Sequence, residues 1–410
     1  MTSPLRLFLV VSLPLAALNL LNQASRTVMA IIGPLLATEF ALSASELGML
    51  AACMFAAYGA AQLPVGVALD VIGPRRLQAS MALLAAAGFA VFALANGIAG
   101  LAAARVILGV GISAALMAVI KAHSQWCPPA QVTNMTGIAL IVGALGSVLT
   151  TTPVEAVLPS LGWRGVFWVM CVASLATAAW IYVSVPEKAA TGPARSLAAE
   201  FGVVGSILAS RRFWRYGPAA AFLSTMNFAY LGLWAGPWLR DVAHYDGPAR
   251  AQTLFWYTLA LMAGGYVTGW AASKAQAAGW SRALVPGATT VGLIAAQAGL
   301  MLQPTTPAAV VSLWLLFAFC ASAGPVGYIA VSQMFPPEQT GRVSTAINAL
   351  TLAGAFALQA AVGTILDLWP RTAAGGWDPR GYSAALALSL VVQAALALLA
   401  IGAPRRGTRA

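Results

Sequence analysis

The sequence has few charged residues. Only 8% of its 410 residues are Asp, Glu, Lys or Arg, whereas a soluble domain typically has about 25%. Hydrophobic residues make up 60% of the chain, and one membrane span needs roughly 20 apolar residues. This composition excludes an ordinary soluble domain and indicates a protein that crosses the lipid bilayer many times. The net charge of +11 is explained by basic loops at one membrane face and does not indicate nucleic-acid binding.

Cysteine and histidine are also scarce, with four and two residues respectively. The cysteines form no CxxC pair, which excludes a disulfide framework or a zinc site of the usual spacing. A phosphate-binding P-loop, a nucleophile elbow and an HExxH motif are absent from the sequence. We therefore expect no enzymatic activity and no cofactor. Any transport would be passive or driven by a gradient.

Twelve long apolar segments are predicted to form membrane-spanning helices. The first six are residues 7–36, 45–72, 77–97, 100–122, 132–158 and 163–185. The last six are residues 214–239, 250–273, 282–302, 307–333, 341–369 and 381–403. The chain thus divides into an N-terminal six-helix bundle (1–185), a linker (186–213) and a C-terminal six-helix bundle (214–410). The apolar spacing in the linker predicts a surface helix with one apolar face: Leu197, Phe201, Val204 and Leu208.

The distribution of Lys and Arg predicts the orientation in the membrane. Placing both termini in the cytoplasm puts fifteen bases on cytoplasmic segments, five on the outer face, and Arg26 and Arg105 within helices. Basic residues concentrate in cytoplasmic loops. The composition, with Arg in excess of Lys, is typical of a bacterial protein, so we expect an inner-membrane location.

An octapeptide repeat relates the two halves. The segment Ser124–Gln131 (SQWCPPAQ) recurs as Ser332–Gln339 (SQMFPPEQ). The copies follow predicted helices 4 and 10, which are equivalent positions if two six-helix halves arose from a parallel repeat. The repeat therefore supports two pseudo-symmetric bundles.

Three of the few charges fall in the turn between predicted helices 2 and 3. The pattern G-x-x-x-D-x-x-G-x-R-R occurs there, at Gly66, Asp70, Gly73, Arg75 and Arg76. It resembles the signature loop of the major facilitator superfamily of secondary transporters. Predicted helix 4 carries a second resemblance, an arginine (Arg105) followed by glycines four and six residues later.

The resemblance implies an all-α integral membrane fold with a central cavity that opens alternately to each side of the membrane. It also implies that the signature loop latches the two halves on the cytoplasmic face. In this loop, Asp70 is expected to pair with an arginine such as Arg75, or to cap the next helix. The alternative is an ordinary basic turn of any polytopic protein.

Predicted helix 1 carries the best candidate for a substrate site. Asn19, Asn22, Gln23 and Arg26 are spaced i, i+3, i+4 and i+7, so they share one face of the helix. A charge within the bilayer is costly and indicates function, and the resemblance implies that helix 1 lines the cavity. A guanidinium there would bind a carboxylate or phosphate bidentately. The alternative is that Arg26 pairs with a carbonyl or an acid between helices.

The second half offers polar residues for the opposite wall of the cavity. Asn227 and Tyr230 lie on one face of predicted helix 7, and Tyr328 lies in predicted helix 10. Each of them alone is also explained by packing.

Two residues are candidates for proton coupling. Related drug/proton antiporters link the arginine at the position of Arg105 to proton transfer; the alternative is a structural donor between helices. Glu155, placed in predicted helix 5, would carry protons if burial raised its pKa. The alternative is a solvated residue near the outer end, paired with Arg164.

These observations favour a secondary transporter that takes up a small organic anion, and the resemblance to the superfamily implies that it is a monomer and that protons are carried with the anion. A proton-driven exporter of drugs or metabolites is the alternative, although Gly143 and Gly146 of helix 5 lack the following Gly-Pro that such exporters carry. A non-transporting membrane sensor or assembly factor is an alternative of another class. A metal cargo is disfavoured because His123 and His244 lie outside the predicted cavity.

Overall fold

The computed structural model describes residues 4–187, 202 and 205–401, and these ranges contain helices and no strand. The first half comprises α1 (consecutive segments Pro4–Leu7, Phe8–Ser12 and Leu13–Glu39), α2 (Ala44–Ile72), α3 (Pro74–Leu94), α4 (Ile98–Gly111 and Ala115–Trp126), α5 (Pro129–Leu149) and α6 (Thr152–Ser184). The second half comprises α7 (Arg211–Ala229, Tyr230–Trp234 and Ala235–Asp241), α8 (Gly247–Ala277), α9 (Leu284–Met301), α10 (Pro307–Ala321 and Gly324–Ser332), α11 (Thr340–Leu366) and α12 (Pro379–Ile401).

The predicted all-α integral membrane fold is confirmed. Within the described ranges, nine helices are long and apolar enough to cross a membrane by length and composition, and α5 contributes a shorter apolar stretch. The helices α7 and α8 do not meet that criterion. Charged residues such as Arg212, Arg215 and Arg240 make α7 more polar, which suits a helix that faces other protein rather than lipid.

The boundary between α5 and α6 differs from the prediction. Helix α5 ends at Leu149, and Thr151 has non-helical dihedral angles (φ −103°, ψ −114°) before α6 begins. Pro153 stands in the first turn of α6, where its missing N–H has no cost. Gly162 (φ 64°) then divides α6, a conformation that favours glycine. The predicted range 132–158 is therefore wrong at its C-terminal end, and Glu155 belongs to the first turn of α6.

The linker prediction is only partly covered by the described residues. Helix α7 begins at Arg211, three residues before the predicted start. Leu208 is 37% exposed, and the other residues of the predicted surface helix lie outside the described residues: Leu197, Phe201 and Val204. Five bases that support the predicted orientation lie outside them too: Lys188, Arg195, Arg405, Arg406 and Arg409.

The two halves contact each other at one membrane face and in the middle of the membrane, and Asn348 Nδ2 of α11 donates to Gln62 Oε1 of α2 at 3.0 Å. We call the face where α1 begins and α12 ends the terminal face, and the other one the opposite face. Helices α2 and α11 pack along each other, and near the opposite face a Cβ on Gly48 or Gly363 would overlap the backbone of the partner helix. Near the terminal face, a Cβ on Gly66 or Gly341 would meet no atom within 4 Å. The helix pair therefore diverges toward the terminal face.

Candidate functional site

Arg26 lies in the middle of α1, where the two halves meet. Its side chain is 8% exposed. The Nε–H donates to Asn22 Oδ1 at 2.9 Å, and Asn22 Nδ2 donates to Asn19 Oδ1 at 3.2 Å. These contacts follow the i, i+3, i+4 spacing of the predicted polar face. Asn22 and Asn19 therefore hold the guanidinium in place from one side.

Aromatic rings from both halves surround the guanidinium. Its carbon lies 4.6 Å from the ring centroid of Tyr58 and 5.7 Å from that of Phe55, both on α2. The ring of Phe228 on α7 is 4.9 Å away. Cation–π contacts are favourable within about 6 Å. Arg26 thus touches the N-terminal and the C-terminal half at once.

A small polar cavity of about 20 Å³ adjoins Arg26. It lies between α1, α5, α7 and α8, and its lining is Gln23, Arg26, Thr27, Ser147, Asn227, Phe228, Leu231, Gly232 and Leu261. One water needs roughly 10–15 Å³ of such volume. The hydroxyls and amides around one cation can bind an oxygen-rich anion once the halves separate enough to admit it.

Of the predicted residues of the C-terminal wall, only Asn227 lines this cavity. Asn227 Oδ1 accepts a hydrogen bond from Tyr257 Oη at 3.3 Å. Tyr328 instead pairs its hydroxyl with that of Thr351 and does not line the cavity.

The placement of Tyr230 in the cavity wall is wrong. Tyr230 is 1% exposed and packs inside the C-terminal bundle, with ring centroids 5.2 Å from Phe317 and 5.9 Å from Trp314. The face of α7 that lines the cavity consists of Asn227, Phe228, Leu231 and Gly232. Tyr230 lies about 60° around the helix from Asn227, on the side away from Phe228 and Gly232, so the spacing i, i+3 did not place both residues in the cavity wall.

Arg105 is a structural hydrogen-bond donor between helices, which was the alternative that the sequence left open. It is completely buried, and Nη1 donates to the Ser25 carbonyl at 2.8 Å while Nη2 donates to the Ala51 carbonyl at 3.3 Å. These bonds join α4 to α1 and α2. Arg105 does not line the cavity beside Arg26.

Glu155 lies at the opposite face, away from the cavity. It stands beside Gly247 at the start of α8 and interacts electrostatically with Arg250. Its expected partner Arg164 donates from Nη1 to Glu39 Oε1 at 2.6 Å instead. The predictions that Glu155 belongs to α5 and pairs with Arg164 are therefore wrong.

The signature loop makes its contacts within the first half and the residue that follows α6. Asp70 forms an ion pair with Lys121 of α4, so the expected pairing with Arg75 is wrong. Arg76 Nε lies 2.6 Å from Glu187 Oε1. Gly73 turns the chain with a φ of 86°, which favours glycine, and aims both arginines at the end of α6.

Further contacts of the loop involve Arg75 alone. Its Nη1 lies 3.7 Å from Glu187 Oε2, and its Nε donates to the Tyr182 carbonyl at 2.8 Å. No described contact joins these side chains to the C-terminal half, so the latch role of Gly66, Asp70, Gly73, Arg75 and Arg76 stays a prediction.

Sequence reasoning missed the aromatic rings around Arg26 and the hydroxyls of Thr27 and Ser147. Tyr58, Phe55 and Phe228 stand in apolar helices where aromatic residues are common, so no local pattern singled them out. Thr27 follows Arg26 directly, and its hydroxyl bonds that of Thr150 at 2.5 Å. The sequence signal for Thr27 and Ser147 was that hydroxyl residues interrupt an apolar run.

Two helical halves that meet around a buried cation and a small cavity are the architecture of alternating-access transporters. The sequence profile of the Major Facilitator Superfamily matches residues 15–360. The chain therefore belongs to this superfamily of transporters.

Several characterised or assigned transporters resemble parts of the chain. A probable sulfoacetate transporter of Cupriavidus necator is 26% identical over 166 residues, 40% of this chain and 39% of the relative. A galacturonate transporter of Dickeya chrysanthemi is 29% identical over 165 residues, 40% and 48% of the two chains. A hexuronate transporter of Escherichia coli K12 is 28% identical over 212 residues, 48% and 49%. The chain thus spans half or less of the length of these relatives.

Solved structures share the fold. A bacterial homologue of the human lysosomal transporter Spinster, in an inward-facing and unoccupied conformation, superposes with a TM-score of 0.76 at 17% identity, covering 98% of this chain and 96% of that one. A D-xylose-proton symporter gives a TM-score of 0.68 at 16% identity over 93% and 96% of the chains.

Proposed function

We propose that this transporter carries small organic anions across the bacterial inner membrane, with Arg26 as the group that binds the anionic end. The observation that carries the proposal is the position of Arg26: a buried cation at the junction of the halves, in contact with both. Asn22 engages one of the five N–H donors of the guanidinium. A carboxylate or sulfonate would bind the remaining donors bidentately.

The neutral polar groups of the cavity favour an anion that also carries hydroxyl or carbonyl oxygens. Gln23, Thr27, Ser147 and Asn227 surround the cation, and each offers donors and acceptors. Relatives named for galacturonate, hexuronate and sulfoacetate are consistent with hydroxylated carboxylates or short sulfonates as the substrate class.

The basic residues at the terminal face support a cytoplasmic location for that face. With that orientation, α2 and α11 diverge toward the cytoplasm. Uptake, a monomeric state and the location of both termini remain predictions. Proton coupling remains one too, since Arg105 and Glu155 do not reach the cavity.

A second cavity offers a site for the exporter alternative, but its position supports that alternative only weakly. An apolar cavity of about 890 Å³ lies among α7, α9, α10 and α12, with Phe222, Leu223, Val291 and Leu396 in its lining. An apolar drug or a lipid chain would fit there. The cavity is lined by the C-terminal half alone and is open at the molecular surface, where Val291 is 67% and Ile401 78% exposed, so rocking of the two halves would not expose it alternately to the two membrane faces.

A thermal-shift screen on purified protein tests the proposed function. D-galacturonate and sulfoacetate, at about a hundredfold excess over their Kd, should raise the Tm of the wild type by about 2–5 °C, because a ligand that binds the folded state stabilises it. Arg26→Ala should show no shift. Arg164→Ala is the matched control, since Arg164 binds Glu39 at the opposite face, and it should respond like the wild type.

The opposite pattern would support the exporter. If only hydrophobic cations raise the Tm, and Arg26→Ala responds as strongly as the wild type, the anion site is wrong. A protein that responds to no solute, and shows no uptake after reconstitution, would instead support the sensor or assembly-factor alternative.

A further inference from the structure

Among the described residues, no acidic side chain contacts Arg26. Its contacts are the Asn22 amide oxygen, the Tyr58 side chain through a hydrogen bond and its ring, and the rings of Phe228 and Phe55, none of which carries a formal charge. A buried cation normally requires an anion or several strong acceptors to offset its lost hydration. Arg26 in the unloaded transporter therefore lacks full compensation.

The acidic residues that the structure describes all lie away from the cavity. The sequence contains eleven of them. Ten lie in the described residues at helix ends or in loops, and none of them lines the cavity: Glu39, Glu46, Asp70, Glu155, Glu187, Asp241, Asp246, Glu338, Asp367 and Asp378. Glu200 belongs to the predicted linker and lies outside the described residues. A carboxylate that could accept a proton next to the substrate is therefore missing from the described cavity.

Other titratable groups do not replace the missing carboxylate. The groups that interact electrostatically with Arg26 are Tyr58, Tyr328 and Arg105, and Tyr257 bonds Asn227 on the far wall. Phenols and guanidinium groups keep one protonation state throughout the physiological range. His123 is enclosed elsewhere in the first half, between the hydroxyls of Ser12 (2.8 Å) and Thr136 (2.9 Å).

A transporter that returns empty must close around its cavity in both the loaded and the unloaded state. A bound organic anion neutralises Arg26 during that closure. An empty cavity leaves the cation buried against aromatic rings, whose attraction is weaker than that of a full opposite charge. The loaded transporter should therefore change conformation faster than the empty one.

From this difference we infer that the transporter exchanges one organic anion for another across the membrane rather than carrying an anion together with a proton. The inference rests on the proposed function of Arg26 as the anion-binding group. Each half-cycle moves one anion across the membrane. A counter-anion then binds on the other side, and the site returns with this anion bound. The coupling partner is thus a second anion of the same chemical class, and no side chain of the cavity gains or loses a proton.

Proteoliposomes of the full-length wild type test the exchange with radiolabelled D-galacturonate as the probe. Vesicles preloaded with unlabelled D-galacturonate should take up label at least about tenfold faster than vesicles that contain buffer alone. An inward proton gradient should leave both rates unchanged, and a lumenal pH dye should report no proton entry.

The contrary result is accumulation into unloaded vesicles that depends on the proton gradient and acidifies the lumen. That result overturns exchange but leaves the anion site intact, because the probe is still transported. A complete lack of transport of D-galacturonate and of sulfoacetate, with and without preloading, instead contradicts the proposed function and the exchange with it.

A charge variant tests the physical cause. Asn22→Asp places a carboxylate on the Arg26 Nε–H, so the unloaded site becomes neutral and its return no longer needs an anion. The ratio of exchange to net uptake should fall at least about fivefold. Asn22→Ala is the matched uncharged variant: it loses the hydrogen bond to Arg26, so both rates should fall together and their ratio should not fall as it does in Asn22→Asp.

A second acidic variant guards against a folding defect in the first. Asn227→Asp introduces the carboxylate from α7 instead of α1, and it should lower the same ratio. Equal ratios in the wild type and in both acidic variants would overturn the inference, because the missing acid would then not determine the coupling.

Discussion

The surroundings of Arg26 and of Arg105 differ although both arginines are buried in the same half. Arg105 donates to two backbone carbonyls that cannot move away, those of Ser25 and Ala51. Arg26 is bonded through Nε to a side-chain amide, and its other neighbours are aromatic faces from both halves. Burial alone therefore does not separate a structural arginine from a ligand-binding one. The two arginines differ in their acceptors: those of Arg105 are fixed backbone carbonyls, and that of Arg26 is a side chain that can move.

The largest expected effect is the loss of Arg105. Arg105→Ala should destabilise the protein by about 3–5 kcal/mol, because it leaves a cavity and two buried carbonyls without their donor. The measurement is the thermal unfolding of the purified variant. The Kd for organic anions of the protein that remains folded should stay within about threefold of the wild type. A large change in Kd at wild-type stability would give Arg105 a binding role and remove the contrast.

Removal of Arg26, unlike removal of Arg105, should leave the free energy of unfolding unchanged or raise it. Arg26→Leu replaces an incompletely compensated buried cation by an apolar side chain, a change that is often neutral or stabilising by about 1–4 kcal/mol. The apo Tm should therefore stay equal or rise, while the Kd for D-galacturonate rises at least about 100-fold, which corresponds to about 2.7 kcal/mol. Unfolding and isothermal titration of the same preparation measure both quantities. A clear fall in apo Tm would indicate that Arg26 is structural like Arg105.

Weakening a hydrogen-bonded contact between the halves at the opposite face should loosen that face. It should not disturb the contacts of Arg105, which lie within the first half. Asp367 accepts hydrogen bonds from the backbone N–H groups of Ala44 (2.9 Å) and Ser45 (2.8 Å) at the start of α2. Asp367→Asn should weaken this contact between the halves by about 1 kcal/mol, as for other helix caps. Amide exchange at Ala44 and Ser45 should accelerate about fivefold. Asp378→Asn is the control, since Asp378 binds Arg380 within the same half.

The same contact has a pH dependence. Burial alone would raise the pKa of Asp367, but the hydrogen bonds from Ser45 and Ala44 outweigh it and hold this pKa below its usual range. The contribution of a carboxylate with a lowered pKa is present above its unfolded pKa and is lost as the pH falls through the folded value. Acidification below about pH 4 should therefore lower the protection of the Ala44 amide, measured from its exchange rate relative to an unstructured amide at the same pH, in the wild type and not in Asp367→Asn.

The smallest effect is expected at Tyr230. The residue packs among Phe317 and Trp314, away from Arg26, and removing its hydroxyl leaves these contacts in place. Tyr230→Phe should change the anion Kd by less than about twofold and the stability by less than about 0.5 kcal/mol. A loss of binding would return Tyr230 to the cavity wall that the sequence predicted.

The sequence was informative where periodicity and charge are strong signals. The polar face of α1 was predictable because four polar residues at helical spacing interrupt an apolar run, and the structure joins Asn19, Asn22 and Arg26 through that spacing. The twelve-helix organisation followed from hydrophobicity in the same way.

The predictions were wrong where tertiary contacts or the surroundings of a helix determine the position of a side chain. The cavity face of α7 includes Phe228, Leu231 and Gly232, and the sequence does not show which side of Asn227 faces the cavity. The partner of Asp70 is Lys121, which is distant in sequence, so the nearby Arg75 was the wrong choice. The three rings around Arg26 come from two helices, α2 and α7, which no local pattern connects.

The most direct test is a structure of the transporter with D-galacturonate bound. The account predicts that the carboxylate lies in the cavity between α1, α5, α7 and α8, with its oxygens about 2.8 Å from the Nη atoms of Arg26. The sugar hydroxyls should contact Gln23, Ser147 or Asn227. Ligand density in the apolar cavity among α7, α9, α10 and α12, with Arg26 still enclosed by its aromatic rings, would contradict the account.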